Sequence, residues 1–166
     1  MEFASKIVPC LWFDSQAEEA AQLYTSVFPG SRIIGTSHYF KAGQEVHGRT
    51  PGSVLTVTFE LAGISFVALN GGPVFRFNEA VSLQVLCDGQ EEVDYYWQHL
   101  GAGGDPAAQQ CGWLKDRFGL SWQVVPRVLP DLITDPDPAK AERVFAAMMG
   151  MKRLDITALA RAHAGG

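Results

Sequence analysis

Positive charge is scarce in this chain of 166 residues and nowhere clustered: 13 Lys and Arg stand against 18 Asp and Glu, for a net charge of −5. Nucleic acids and anionic membranes call for a concentrated basic patch, so neither is expected as a partner. No apolar run approaches the ~18 residues of a membrane-spanning helix. Met1–Lys6 lacks the apolar centre of a secretory leader, and the expected location is cytoplasmic. Only three cysteines occur, Cys10, Cys87 and Cys111, with no C-x-x-C pair, which weakens zinc-ribbon and thioredoxin readings. Cys10 and Cys87 fall in apolar strand patterns and read as small buried hydrophobes. No G-x-G-x-x-G follows a strand and opens a helix, so a dinucleotide loop has no residues to build it. Nor does a Ser/His/Asp arrangement or a carboxylate pair stand out. What the chain does have is 47% hydrophobic and 19% charged residues, enough for a folded core.

The pattern of elements repeats. Residues 7–13 (IVPCLWF) form an apolar strand, and Asp14-Ser15 is expected to cap a helix running to about Phe28 on a stripe of Ala20, Ala21, Leu23, Tyr24, Val27 and Phe28. Pro29-Gly30 ends it. Residues 32–40 read as a strand, 41–53 as a loop, and 54–61 and 64–70 as a hairpin about Ala62-Gly63. From residue 81 the order restarts with the strand VSLQVLC. Asp88-Gly89 then opens a helix with Val93, Tyr96, Trp97 and Leu100 on one face. A glycine-rich stop and a second hairpin at 111–126 follow. Asp14, Gln16, Glu18 and Gly30 recur 74 positions later as Asp88, Gln90, Glu92 and Gly104. Gly63-Ile64-Ser65-Phe66 recurs after only 56, as Gly119-Leu120-Ser121-Trp122. The smaller offset predicts a shorter middle loop in the second copy. Two fused strand–helix–strand–strand–strand modules result, an α+β fold. The expected layout is a first module at 1–72, a connector at 73–80, a second module at 81–128 and a helical extension at 129–166, forming one structural domain.

Paired modules of this kind, with the Asp116-Arg117-Phe118-Gly119 turn before the last strand, resemble the vicinal oxygen chelate superfamily. That group includes glyoxalase I, extradiol dioxygenases and the bleomycin- and fosfomycin-resistance proteins. The chain is most similar to the PhnB-like branch, which also carries the label 3-demethylubiquinone-9 3-methyltransferase. The resemblance rests on Leu11-Trp12-Phe13-Asp14, Phe28-Pro29-Gly30-Ser31, Leu69-Asn70-Gly71-Gly72-Pro73 and above all Cys111–Pro126. It implies two βαβββ modules, each curling its sheet around a cavity with its helix on the convex side. Strand alternation then sends Ser82, Gln84 and Leu86 inward, with Ser121, Gln123 and Val125. Val81, Leu83, Val85 and Cys87 would face the helix, as would Leu120, Trp122 and Val124. Metal-dependent relatives place four ligands in the cavity. The equivalent positions here are Val8, Val67, Ser82 and Gln123. Valine offers no lone pair, so no metal and no other cofactor is expected.

Further cavity candidates are Cys10, Trp12, Asn70, Arg76 and Trp113. Gln123 bonds either its neighbours or a ligand. Arg76, between Phe75 and Phe77, is a clamp for an anionic or planar ligand or else a rim charge. Trp113 packs the hairpin or walls the cavity. His38 and His47 lie near the 41–53 loop, and both read as surface residues. Lys115-Asp116-Arg117 reads as a solvated type I turn. No S-adenosylmethionine loop is visible to support the methyltransferase label. In the tail, Asp137-Pro138 and Asp155 start two helices, the first with Val144, Phe145, Met148 and Met149 on one stripe. Open sheet edges point to a homodimer. Three functions stay open: a metal-independent protein binding an unknown small molecule, a superfamily enzyme acting on a small metabolite, and a structural or regulatory dimer.

Overall fold

A computed structural model describes residues 6–166. The expectation of no leader at Met1–Lys6 therefore falls largely outside the described residues. No helix among them is long and apolar enough to cross a membrane. The chain divides into two compact units, Met1–Arg76 and Phe77–Gly166.

In the first unit, β1 (Cys10–Phe13), β2 (Arg32–His38), β3 (Val54–Leu61) and β4 (Ile64–Asn70) form a sheet of order β1-β4-β3-β2. The β1–β4 pair is parallel and the others antiparallel. Helix α1 (Ala17–Val27) buries Ala17, Ala20, Ala21, Tyr24 and Val27, and Phe28 just after it is buried too; Leu23 of the expected stripe is only partly covered, and Ala17 takes part instead. The sheet answers with every second residue, including Leu11, Phe13, Phe59, Phe66 and Ala68. Tyr24 lies 6.2 Å from Phe59, which stacks on Phe66 at 5.5 Å. A short helix, α2 (Gln44–His47), interrupts the loop expected at 41–53.

The β3–β4 turn holds Ala62 at φ 46° and Gly63 at φ 84°. Two left-handed residues in succession make the hairpin turn that favours Asn-Gly. Ala62 is exposed and pays the Cβ penalty of that region. Ala62→Asn is therefore expected to raise stability by about 0.5–1 kcal/mol, read as an upward shift of the thermal midpoint. An unchanged or lower midpoint counts against this turn geometry.

The second unit contains β5 (Ser82–Cys87), α3 (Gln90–Gly101), β6 (Trp113–Lys115) and β7 (Ser121–Pro126), with sheet order β5-β7-β6. The two-module α+β order is thus present, but the second copy departs in one element. Where β2 lies in the first unit, residues 106–108 form a turn of 3-10 helix and Gln110 makes a single bridge to Trp113. The shortening removes a strand as well as loop. Gly30 and Gly63 are 33 positions apart, whereas Gly104 and Gly119 are separated by only 15, and two ordinary strands of about 5–6 residues with their turns do not fit that span.

The tail supplies α4 (Leu129–Ile133), α5 (Pro138–Met149) and α6 (Ile156–Ala164). Asp137 and Asp155 cap α5 and α6 as expected, accepting from Ala139 N and Ala158 N at 2.9 Å each. Leu129, Val144, Leu154 and Leu159 form a small core under Met148 and Met151. Phe145 and Met149, expected on the apolar stripe, are about half exposed instead. The tail is stitched to the module by its backbone: Cys111 N donates to Met151 O (2.7 Å) and Gly112 N to Lys152 O (2.8 Å).

Helix starts differ from the sequence reading. Asp14-Ser15 does not cap α1; the side chain of Asn70 does, accepting from Ala17 N at 2.8 Å. In α3 no side chain of Asp88-Gly89 caps the helix. Glu92 instead reaches back to accept from Asp88 N at 2.8 Å, the returning half of a capping box.

Candidate functional site

Strand parity places the chemistry of the second unit. Val85, Cys87, Trp122 and Val124 are buried under α3, while Gln84, Leu86, Gln123 and Val125 line a cavity of about 700 Å³ on the other face. These residues follow the expected alternation, but Ser82 and Ser121, also expected inward, are not among the residues lining the cavity; Ser121 is buried, and Leu83, expected under the helix, is only partly so. Val81 departs from the alternation too, because β5 begins one residue later and leaves Val81 exposed. Trp113 also lines the cavity, since it sits opposite Gln123 in the β6–β7 register. The remaining wall comes from Cys111, from Leu129, Pro130 and Ile133 of α4, and from Met148 and Met149 of α5. The Cys111 thiol lies 3.7 Å from the Met149 sulfur.

The polar floor is a directional chain. Gln84 Nε2 donates to Gln123 Oε1 at 3.1 Å, and Gln123 Nε2 donates to Ser82 Oγ at 2.7 Å. Parallel pairing of β5 with β7 sets Ser82 beside Ser121 and Gln84 beside Gln123, which makes the chain possible. Gln123 thus bonds a neighbour through each end of its amide, keeping a second N–H and a second lone pair. Gln84 is the exposed end of the relay, with its carbonyl and a second N–H turned outward.

The other candidates lie in the first unit. Cys10 is exposed at the start of β1, so the buried reading fails there, and partial burial still raises its thiol pKa. Cys87 is buried as expected. Burial first, then the nearby Glu92 and Asp88 carboxylates, push its thiol up to about 12, so it stays protonated at neutral pH. Trp12 shares the open face of the sheet with Cys10 and Val67, donates Nε1–H to Gly72 O at 2.8 Å, and meets Phe75 edge-on. Asn70 falls on the opposite, helix-covered face. Its Oδ1 caps α1, its Nδ2 donates to Val54 O at 3.1 Å, and its backbone carbonyl accepts from Tyr39 Oη at 2.7 Å. It is a structural anchor. Arg76 is exposed and makes no ion pair among the described residues. His47 is not a bare surface residue: its ring packs on Tyr39 and its Nδ1 accepts from Arg49 N. Asp116 overturns the solvated-turn reading. It is 2% exposed, and its carboxylate accepts from Phe118 N, Leu120 N and Trp122 Nε1 at 2.9–3.0 Å.

The four positions that the resemblance sets beside metal ligands, Val8, Val67, Ser82 and Gln123, offer a divalent ion few donors. Val8 and Val67 have no donor atoms, and the Gln123 amide is committed on both sides to Gln84 and Ser82. Among the described residues no group of three or more His, Cys, Asp or Glu is placed to hold a metal.

Two sheets, each covered by its own helix on one face, define a mixed α+β protein. The sequence profile of the 3-demethylubiquinone-9 3-methyltransferase family matches residues 5–125, and the chain belongs to that family. A PhnB protein from Bacillus cereus is 34% identical, with a TM-score of 0.62 over 74% of this chain and 99% of that one. A Pseudomonas aeruginosa protein shares the fold at 19% identity and a TM-score of 0.57, over 74% and 98% of the two chains. A lactoylglutathione lyase from Agrobacterium tumefaciens aligns at 18% identity and a TM-score of 0.41, over 76% and 96%. No curated protein sequence matches the chain.

Proposed function

We propose that this chain binds a small, partly apolar metabolite in the cavity of its second unit, without a metal. One observation carries the reading: Gln84 and Gln123, bonded to each other and Gln123 to Ser82, line a cavity of about 700 Å³ otherwise walled by residues including Trp113, Leu86, Val125, Met148 and Met149. That volume suits a small molecule, and few, fixed polar groups among apolar walls are how such sites orient a ligand. The methyl transfer in the family's label is not carried over. A glycine-rich strand–turn–helix loop would be needed to cradle such a cofactor, whereas α1 follows β1 through Asp14-Ser15-Gln16 and α3 follows β5 through Asp88-Gly89.

The test is a thermal-shift screen against metabolites and antibiotics, with chelator and with added zinc, nickel or manganese. Shifts that persist in chelator, and that Gln84→Leu weakens at least about tenfold in ligand concentration, are expected, because the variant removes the outward hydrogen bonds. Shifts appearing only with metal favour a superfamily enzyme, and no shift at all favours a structural dimer. Self-association belongs to the same proposal: Ile33 and Ile34 are exposed on the edge strand β2, and exposed apolar edges are a common place for self-pairing. Light scattering is expected to give twice 18.1 kDa. A clean monomer counts against it.

A further inference from the structure

The cavity face of the second sheet is ordered in rows by strand register. Gln84, Gln123 and Trp113 lie side by side in the middle row. On one side of it lies the pair Leu86 and Val125, and on the other the row Ser82, Ser121 and Lys115. Rows two residues apart are separated by about 7 Å. Polarity therefore falls along the strands, from an ammonium and two hydroxyls, through amides and an indole, to hydrocarbon.

Two observations single out the charged row. Ser121 is 1% exposed, yet its hydroxyl has no hydrogen-bond partner among the described residues. A buried hydroxyl left unpaired costs free energy that a bound acceptor or donor would recover. Lys115, beside it, is only a quarter exposed and is paired with Glu79. Glu79 also lines the cavity, but it sits on an exposed turn in the connector, outside any strand or helix. The ammonium on the sheet is therefore matched by a carboxylate that the sheet does not hold, and an exposed pair of this kind resists exchange only weakly.

The row shares the sheet face of Gln84 and Gln123 but does not itself line the cavity; Glu79, the partner of Lys115, does. We propose that this row becomes an anion-recognising extension of the cavity when the Glu79 carboxylate leaves Lys115. Lys115 receives the carboxylate of a small organic acid, with the Ser121 and Ser82 hydroxyls beside it. The acid's apolar or aromatic body lies along Trp113, Leu86 and Val125. Glu79 is the chain's own carboxylate in that place and competes with the ligand. This rests on the cavity reading above and adds the class of ligand.

The experiment titrates the full chain with 4-phenylbutanoate and, separately, with 4-phenylbutan-1-ol. Calorimetry gives the affinities, while the methionine methyl signals report occupancy beside Met148 and Met149. The acid is expected to bind about tenfold tighter than the alcohol. Lys115→Met brings the two within about twofold and leaves alcohol binding unchanged. Glu79→Gln removes the competitor, keeps Lys115 in place, and strengthens acid binding severalfold. Equal affinities for acid and alcohol in the unmodified chain, or a preference that survives Lys115→Met, overturn the anion end while leaving the cavity standing. Weaker acid binding by Glu79→Gln overturns the role given to Glu79. If neither compound moves the Met148 or Met149 methyl signals, the cavity reading falls and this inference with it.

Discussion

Asp116→Ala is expected to lose about 3–5 kcal/mol of stability, the range for stripping one partner from a buried charged cluster. One carboxylate satisfies two backbone N–H groups of the β6–β7 turn and the indole N–H of Trp122, all at 2.9–3.0 Å. Trp122 is among the largest fully buried side chains, so its N–H cannot turn to water. Removing the acceptor leaves donors without partners inside the fold, which costs more than the bonds were worth on balance. Asp116→Asn keeps one acceptor atom but sets an N–H against a donor, and about half the loss is expected to remain. Urea unfolding followed by tryptophan fluorescence measures both. A loss below about 1 kcal/mol for Asp116→Ala, the size of an ordinary substitution, would show that the turn is held by something else.

Gly104→Ala is expected to cost about 3 kcal/mol or more, at the upper end of overpacking losses. A Cβ there would stand well inside van der Waals contact with the Lys115 carbonyl oxygen, 3.0 Å from the carbonyl carbon and 3.2 Å from that of Asp116. These are backbone atoms of β6 and its turn, so no side-chain rotation relieves the overlap. The strand carrying Trp113 and Lys115 must move, and ligand affinity is expected to fall together with stability. Gly30→Ala is the internal control. Gly30 occupies the matching place in the first module, yet a Cβ there meets nothing within 4 Å; its need for glycine comes from φ +70°. Its loss is expected near 1 kcal/mol, the cost of the left-handed region for a residue with a Cβ. Equal losses at the two glycines would refute the steric account.

That pair also marks how far sequence reasoning reached. Internal alignment matched Gly30 with Gly104, correctly as positions in a repeat, but the same letter serves a turn in one copy and close packing in the other. Period-two alternation placed Gln84 and Gln123 on the cavity face because it depends only on neighbours along one strand. Lys115, by contrast, reads with Asp116 and Arg117 as a wet turn. Composition could not reveal that Trp122, six residues on, would need an acceptor. Asn70 and Cys10 were misplaced for a related reason. Asn70 is buried by the helix it caps from 53 positions away, and Cys10 is exposed because β1 starts at it. Glu79 and the cavity wall from α4 and α5 left no local signal, since only the folded chain brings them to the sheet.

The match to the family ends at residue 125, and the tail that follows supplies Leu129, Pro130, Ile133, Met148 and Met149 to the cavity. The amides of the cavity thus lie in the part that matches the family, while much of its apolar wall lies beyond the match. Substitutions in α4 and α5 can retune which molecule fits without disturbing the hydrogen-bonded sheet beneath. If the cavity takes a ligand, likeness over 5–125 alone leaves that part of its wall unspecified.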